Sequence, residues 1–207
     1  MVKAILAPFF APGVFLGAML AAAPAGAESI SSAYTDLNTE TDCTVVDAAD
    51  PDEGGDWVNL VCDGYRGFPV LVDYADARES LFYGYPPAGD RAWESFDAFN
   101  NVGPRIEWRL AETDGRAVPF ATIHRWFVSD FDDPDAQVEV LVVAKVGRPD
   151  ERQGCAVGYV VASGNPNANV KARNIADNQV RDFVCGADQP TIDQGSVLVP
   201  PFTRQAN

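Results

Sequence analysis

The sequence is poor in the residues and motifs that most enzyme active sites require. It has one histidine, His124, which excludes metal sites built from several histidines and the H-E-x-x-H motif of zinc proteases. The motifs G-x-S-x-G, G-x-x-x-x-G-K-[ST] and G-x-G-x-x-G are absent, so no standard serine hydrolase or nucleotide-binding site is indicated. We therefore predict no catalytic residue, no metal ion and no cofactor.

The N-terminal segment has the pattern of an export signal. Lys3 is the only charge in residues 1–27, an apolar run covers residues 4–23, and Ala-Gly-Ala ends at Ala27. A positive start, an apolar stretch and small residues at a cleavage site are typical of a signal peptide. The alternative is an uncleaved membrane anchor, which the prolines within the run disfavour. We expect a periplasmic or secreted protein with no membrane span after cleavage.

The chain is strongly acidic, with 15 basic and 30 acidic residues and a formal net charge of −15. Such a surface repels nucleic acid and anionic lipid, because both bind through clusters of Lys and Arg. The simplest explanation of this negative charge is that it keeps the protein soluble. The alternative explanation is that the acidic surface binds a cationic partner. With 47% hydrophobic residues the chain has enough apolar material for a folded core.

The four cysteines indicate two disulfides, because an even number in an exported protein is typical of oxidised pairs. Three pairings are possible, and geometry favours Cys43 with Cys62 and Cys155 with Cys185. The first pair flanks a turn-rich segment and would lie opposite each other in a hairpin. For the second, a strand from Cys155 and a helix returning along it have similar lengths, which brings Cys185 back to the start of the strand. With all four sulfurs bonded, no thiolate nucleophile remains.

Strand and helix signals predict an α+β fold, an antiparallel sheet of hairpins with one short middle helix and a C-terminal helix packed on the sheet. The middle helix is predicted from Asp90 to about Asn101, and the C-terminal helix over 166–183 after Asn165. A β-sandwich with an appended helix is the alternative. We expect one disulfide-stapled domain over 28–187 and an extended or disordered tail over 188–207.

Polar and aromatic side chains on the predicted strands form a candidate binding surface. Its members are Tyr83, Tyr85, Glu107, Arg109, His124 and Trp126. Aromatic side chains are common in binding surfaces, although most are core residues. Glu107 is also the first candidate for a carboxylate that catalyses hydrolysis, and His124 is the second. The acidic loop 129–135 departs from the EF-hand pattern at three positions, which favours a solvated loop over a calcium site.

Several segments resemble uncharacterised exported bacterial proteins. They are the hairpin cysteines, Glu107-Trp108-Arg109, residues 119–123 (PFATI), residues 155–159 (CAVGY) and residues 165–169 (NPNAN). The resemblance implies an exported protein and no particular activity. Bacterial lysozyme inhibitors are similar in class, being small, exported and disulfide-bearing, but their S-G-x-x-Y signature is absent.

These observations favour an exported acidic binding protein that is not an enzyme and that binds an unknown protein or envelope polymer. A carboxylate-dependent periplasmic hydrolase and an inhibitor of a cationic enzyme that attacks the envelope are the two alternatives.

Overall fold

A computed structural model describes Met1 and residues 29–52, 54–113, 115–130, 133 and 136–205. These residues form strands and one α-helix. The elements are β1 (Ser29–Asp36), β2 (Cys43–Ala48), β3 (Val58–Tyr65), β4 (Phe68–Ala75), β5 (Arg78–Tyr83), β6 (Trp93–Phe96), β7 (Asn100–Thr113), β8 (Arg116–Ser129), β9 (Gln137–Lys145), β10 (Ala156–Val161), α1 (Ala168–Gln179), β11 (Thr191–Asp193) and β12 (Phe202–Gln205). The predicted signal peptide lies almost entirely outside the described residues.

The largest sheet has six strands in the order β1-β7-β8-β9-β10-β11. All neighbours are antiparallel except β10 and β11, which are parallel because α1 connects them. It contains the long β7–β8 hairpin, in which Ile106 and Trp108 are fully buried. The side chains of this hairpin alternate between two faces: Ile106, Trp108 and Leu110 face one core, and the residues between them face the other side.

Two smaller sheets complete the fold. Strands β2-β3-β4-β5 form an antiparallel sheet, and β6 pairs with β12 in a two-stranded sheet. One core lies between the six-stranded and four-stranded sheets and contains Trp108, Trp126, Val70 and Val72. A second core lies between the other face of the six-stranded sheet and α1, where Ile123 and Val143 meet the helix. The chain is therefore mostly β, with several antiparallel sheets and a mixed sheet packed against one helix, which confirms the coarse α+β prediction.

The C-terminal helix is confirmed, somewhat shorter than predicted. It begins at Ala168 and buries Ala172, Ile175 and Ala176 on the sheet. Gly158 of β10 allows this close approach, because a Cβ built there would lie 2.9 Å from the Ile175 side chain. The expected cap at Asn165 lies in the preceding turn, where its side-chain oxygen accepts a hydrogen bond from the Asn167 amide at 3.2 Å.

The predicted middle helix from Asp90 to Asn101 is wrong. This segment instead contains β6 and the start of β7. Phe96 is fully buried. The Asn100 side chain donates to the Ala98 carbonyl oxygen at 2.8 Å, which stabilises a tight turn between the two strands. Pairing with β12 and burial of Phe96 override a helical pattern that local sequence alone suggested.

Both disulfides have the predicted pairing. Cys43 lies opposite Cys62 in the β2–β3 hairpin with a Cα–Cα distance of 3.9 Å. Cys155, just before β10, is bonded to Cys185, six residues after α1 ends, with a Cα–Cα distance of 5.8 Å. The two bonds are consistent with an oxidising compartment outside the cytoplasm.

The segment predicted as an extended or disordered tail is extended and contributes β11 and β12 to two sheets. Within the described residues, no helix has the length and apolar character needed to cross a membrane.

Candidate functional site

His124 lies between the two large sheets with no exposed surface. Its Nε2 is 2.7 Å from the Gly103 carbonyl oxygen and its Nδ1 is 2.8 Å from the Tyr83 hydroxyl. Because a carbonyl can only accept, Nε2 carries the proton and Nδ1 accepts from Tyr83. Burial lowers the pKa of His124 to about 4, despite the opposing effect of the Gly103 hydrogen bond. Tyr83 and His124 therefore link the two sheets and have no access to a substrate.

Trp126 is also part of the core between the sheets, where it is 2% exposed and packs against Phe96 with ring centroids 5.6 Å apart. Tyr83 is 3% exposed. Tyr83, His124 and Trp126 thus lie in the interior, and they do not form the exposed recognition surface that the sequence suggested.

Glu107 and Arg109 lie under α1 and are both buried. Arg173 of the helix donates to both oxygens of Glu107 at 2.7 and 3.0 Å, and Ser32 donates to Oε1 at 2.6 Å. Arg109 forms two hydrogen bonds with Asp177, at 2.8 and 2.7 Å. These bonds attach the helix to β7.

The environment of Glu107 does not suit a general acid. Burial alone would raise its pKa, but the hydrogen bonds from Arg173 and Ser32, together with the nearby positive charges, lower it overall. Glu107 is therefore ionised at neutral pH, and both of its oxygens are already engaged by neighbouring side chains.

Tyr85 is the candidate residue that lies at an open surface. It is half-buried at the edge of a groove of about 770 Å³, which we call the disulfide groove and define by Asp42, the Cys43–Cys62 bond, Asp63, Phe68 and Tyr85. The Tyr85 hydroxyl donates to the Gly67 carbonyl oxygen at 3.1 Å, and its ring meets Phe68 edge-on at 5.3 Å. The groove thus combines two carboxylates and two aromatic rings with one basic side chain, Arg66, whose guanidinium lies 5.4 Å from the centre of the Tyr65 ring.

The disulfide groove belongs to a strongly acidic part of the chain that the sequence analysis did not single out. Residues 36–63 contain nine acidic residues and no lysine or arginine. Each of these acidic side chains that the structure describes is exposed. Of the described acidic residues in this segment, only Asp36 forms an ion pair with a described basic residue, Arg105, at 4.0 Å. The uneven distribution of charge along the sequence was the signal that could have identified this region.

Strand β2 forms the edge of the four-stranded sheet within this acidic region, so one side of its backbone has no neighbouring strand in the described structure. Val45 and Val46 of this strand are each 60% exposed. The pairing of β2 with β3 is irregular between Val45 and Asp47, which is characteristic of a β-bulge. We use the name acidic hairpin for residues 36–63, including this edge.

Metal binding finds no support in the part of the chain that the structure describes, since it contains no group of three or more His, Cys, Asp or Glu side chains arranged around an ion. Four residues of the acidic loop 129–135 lie outside the described residues. Comparison with known proteins gives no further guidance, because no family model, no curated protein and no solved structure matches this chain.

Proposed function

We propose that this chain is an exported binding protein without catalytic activity, and that its acidic hairpin binds a cationic segment of another protein. The observation that carries the proposal is the run of exposed carboxylates in residues 36–63, uninterrupted by any basic residue and lying beside the disulfide groove. Its export rests on the signal-peptide pattern and on the two disulfides.

Electrostatics supports a cationic partner. The exposed carboxylates of the acidic hairpin outnumber the basic side chains beside them, Arg66 and Arg105, so they repel each other, and a Lys- or Arg-rich segment relieves this repulsion on binding. The net charge of −15 also attracts a positively charged partner from a distance and accelerates its association. Nucleic acid and anionic lipid are repelled by the same field.

The shape of the acidic hairpin supports an extended segment as the bound form. The open edge of β2 offers backbone groups with which another strand can pair, and the exposed Val45 and Val46 offer apolar contacts beside the carboxylates. In the disulfide groove, the rings of Phe68 and Tyr85 can contact the alkyl part of a lysine or arginine side chain. A segment that alternates basic and apolar residues fits both features.

A carboxylate-dependent hydrolase has little to support it, because Glu107 is ionised and engaged by Arg173, and His124 is enclosed. An inhibitor of a cationic enzyme remains a narrower form of the proposed function, in which the cationic segment belongs to that enzyme.

The proposal is tested with a nine-residue peptide that alternates lysine and valine, measured by isothermal titration calorimetry at two salt concentrations. A peptide that alternates glutamate and valine, and one with the lysines and valines in separate blocks, are the controls. We expect the alternating basic peptide to bind best and to lose affinity as salt increases. Equal binding of the block peptide would show that net charge alone is recognised and would contradict the role of the β2 edge.

Two variants with the same change in charge locate the interaction. Asp63→Lys places a positive charge in the disulfide groove, whereas Asp182→Lys places one at an exposed position after α1. We expect the first to weaken binding of the basic peptide by about tenfold and the second by less than about twofold. Similar losses in both variants would contradict binding at the acidic hairpin.

A further inference from the structure

A cavity of about 560 Å³ lies beneath the C-terminal segment, and none of its lining residues belongs to the acidic hairpin. One wall comes from the loop after α1 and from β10, and the other comes from the segment that carries β11 and β12. The residues that line the cavity are largely apolar and aromatic, and they include Tyr159, Phe183, Val199 and Phe202. The rings of Tyr159 and Phe202 are in contact, with centroids 4.5 Å apart.

Glu94 of β6 is the main polar group of this cavity. Its side chain is 12% exposed, and one carboxylate oxygen accepts a hydrogen bond from the Ala156 amide at 2.8 Å. The other oxygen lies 3.3 Å from Nε of Arg204, whose side chain is 36% exposed. The same pair also lines a second, smaller cavity of about 290 Å³, together with Arg91 and Arg152. Glu94 is thus a largely buried carboxyl group that borders two open spaces.

The partners of Glu94 do not fully compensate for its burial. Burial raises its pKa, and the Ala156 amide and the charge of Arg204 offset this only in part. The pKa of Tyr159 is raised as well, by burial and then by the negative charge of Glu94. A positive charge placed in the cavity would stabilise the ionised form of Glu94.

We infer that this cavity binds a small molecule in which a protonated amine is joined to an apolar body, with the amine near Glu94 and the body against Tyr159, Phe183 and Phe202. The charged residues that line the cavity are two carboxylates, Glu94 and Asp188, and one guanidinium, Arg204. This excess of negative charge disfavours binding of an anion. Aromatic rings attract cations as well as apolar groups, so the same wall suits both parts of the ligand. This site is separate from the acidic hairpin and does not depend on the proposed function.

The test is a titration of the ¹⁵N-labelled protein with hexylamine, 1-hexanol and hexanoate, followed by NMR. The three compounds share one alkyl chain and differ in the charge of the head group, which is positive for the amine at pH 7. We expect hexylamine to bind at least about tenfold more tightly than the other two. We also expect it to shift amide signals of residues 186–192 and of β12.

Each alternative result of this titration would overturn the inference. Equal binding of 1-hexanol would show that the amine is not recognised, and stronger binding of hexanoate would assign the site to Arg204 and an anion. Shifts confined to β2 would place hexylamine on the acidic hairpin instead. Failure of all three compounds to bind would show that the cavity takes no ligand of this class.

Variants then test the role of Glu94. Glu94→Gln should reduce hexylamine affinity at least about tenfold and leave 1-hexanol unaffected. Glu79→Gln is the matched control, because Glu79 is also largely buried, its pKa is also raised by burial, and it accepts a hydrogen bond from the Val102 amide outside the cavity. Ile192→Trp, at the exposed cavity rim, should weaken binding of hexylamine and 1-hexanol alike and provides a test if Glu94→Gln does not fold. Equal hexylamine affinity in wild type and Glu94→Gln would overturn the inference.

Discussion

His124 has the chemistry of a catalytic residue but a structural position, because both of its ring nitrogens have partners inside the protein. Nε2 donates to Gly103 and Nδ1 accepts from Tyr83, so the neutral ring fits its surroundings. A second proton on the ring would introduce a buried charge between the sheets, which is why the pKa is lowered to about 4.

This lowered pKa predicts that the protein loses stability in mild acid. In the unfolded chain His124 binds a proton below about pH 6.5, whereas in the folded protein it does so only below about pH 4. Between these values protonation favours the unfolded state, so the free energy of unfolding falls as the pH falls through this window. The loss attributable to His124 should reach roughly 3 kcal/mol, measured by urea unfolding between pH 7.5 and pH 4.

A comparison with His124→Gln isolates this effect from other groups. Glu79 and Glu94 have raised pKa values in the folded protein, so their protonation opposes the loss of stability as the pH falls. They are present in both proteins and cancel in the difference. The difference in unfolding free energy between wild type and His124→Gln should therefore decrease toward pH 4. A difference independent of pH would contradict the prediction.

Glu107 and Arg109 show which properties of a residue the sequence predicts and which it does not. Strand alternation correctly placed them on the face opposite Trp108. Their burial was not predictable in this way, because the groups that cover them, Arg173 and Asp177, lie 66 and 68 residues later in the chain. Their ion pairs therefore lie buried between the sheet and α1, whereas charged pairs on a sheet face are ordinarily exposed.

At the scale of elements, the strongest local patterns were predicted well. The β7–β8 hairpin and α1 have clear periodicities, and length arguments placed Cys185 beside Cys155. The segment 90–101 was mistaken for a helix because its apolar spacing fits a helical face. Its strand partner β12 lies more than 100 residues later, Phe202 pairing with Phe96, and local sequence patterns cannot reveal such a distant partner.

The two disulfides are expected to stabilise different elements. Replacing Cys155 and Cys185 together by alanine opens a loop spanning 30 residues that contains α1, and should cost about 3 kcal/mol. Amide hydrogen exchange in α1 should accelerate, because the bond attaches the end of the helical segment to the start of β10.

The Cys43→Ala, Cys62→Ala variant is the matched control for this prediction. Its loop spans 19 residues and lies in the β2–β3 hairpin, so the cost in unfolding free energy should be similar. Exchange in α1 should change no more than exchange elsewhere. Two results would contradict the separate roles of the two bonds. One is faster exchange confined to α1 in the Cys43→Ala, Cys62→Ala variant, and the other is unchanged exchange in α1 after replacement of Cys155 and Cys185.

At the scale of the whole molecule, the C-terminal segment is part of the folded structure. Phe202 of β12 packs against Phe96 and Tyr159, with ring centroids 4.9 and 4.5 Å away. The Asp97 amide donates to the Pro201 carbonyl oxygen at 3.0 Å. The sequence predicted an extended or disordered tail here and could not show its strand partners, because a strand of four residues with prolines before it has no distinctive pattern.

Removing the ring of Phe202 should therefore destabilise the whole domain. We expect Phe202→Ala to lower the free energy of unfolding by about 2 kcal/mol or more, measured by urea unfolding. Phe99→Ala is the matched control, because Phe99 is 59% exposed, and its effect should stay below about 1 kcal/mol. Equal effects of the two substitutions would show that the C-terminal segment contributes little to stability.

The pairing of β6 with β12 has a consequence for the order in which the protein is made. Thr203 donates a hydrogen bond to Asp97, which lies 106 residues earlier, so β6 leaves the ribosome long before its partner strand is synthesised. During that interval the nascent polypeptide cannot complete its two-stranded sheet or close the space around Glu94. The packing of Phe202 against Phe96 therefore forms only after at least 106 further residues have been synthesised, whereas the β7–β8 hairpin can form much earlier.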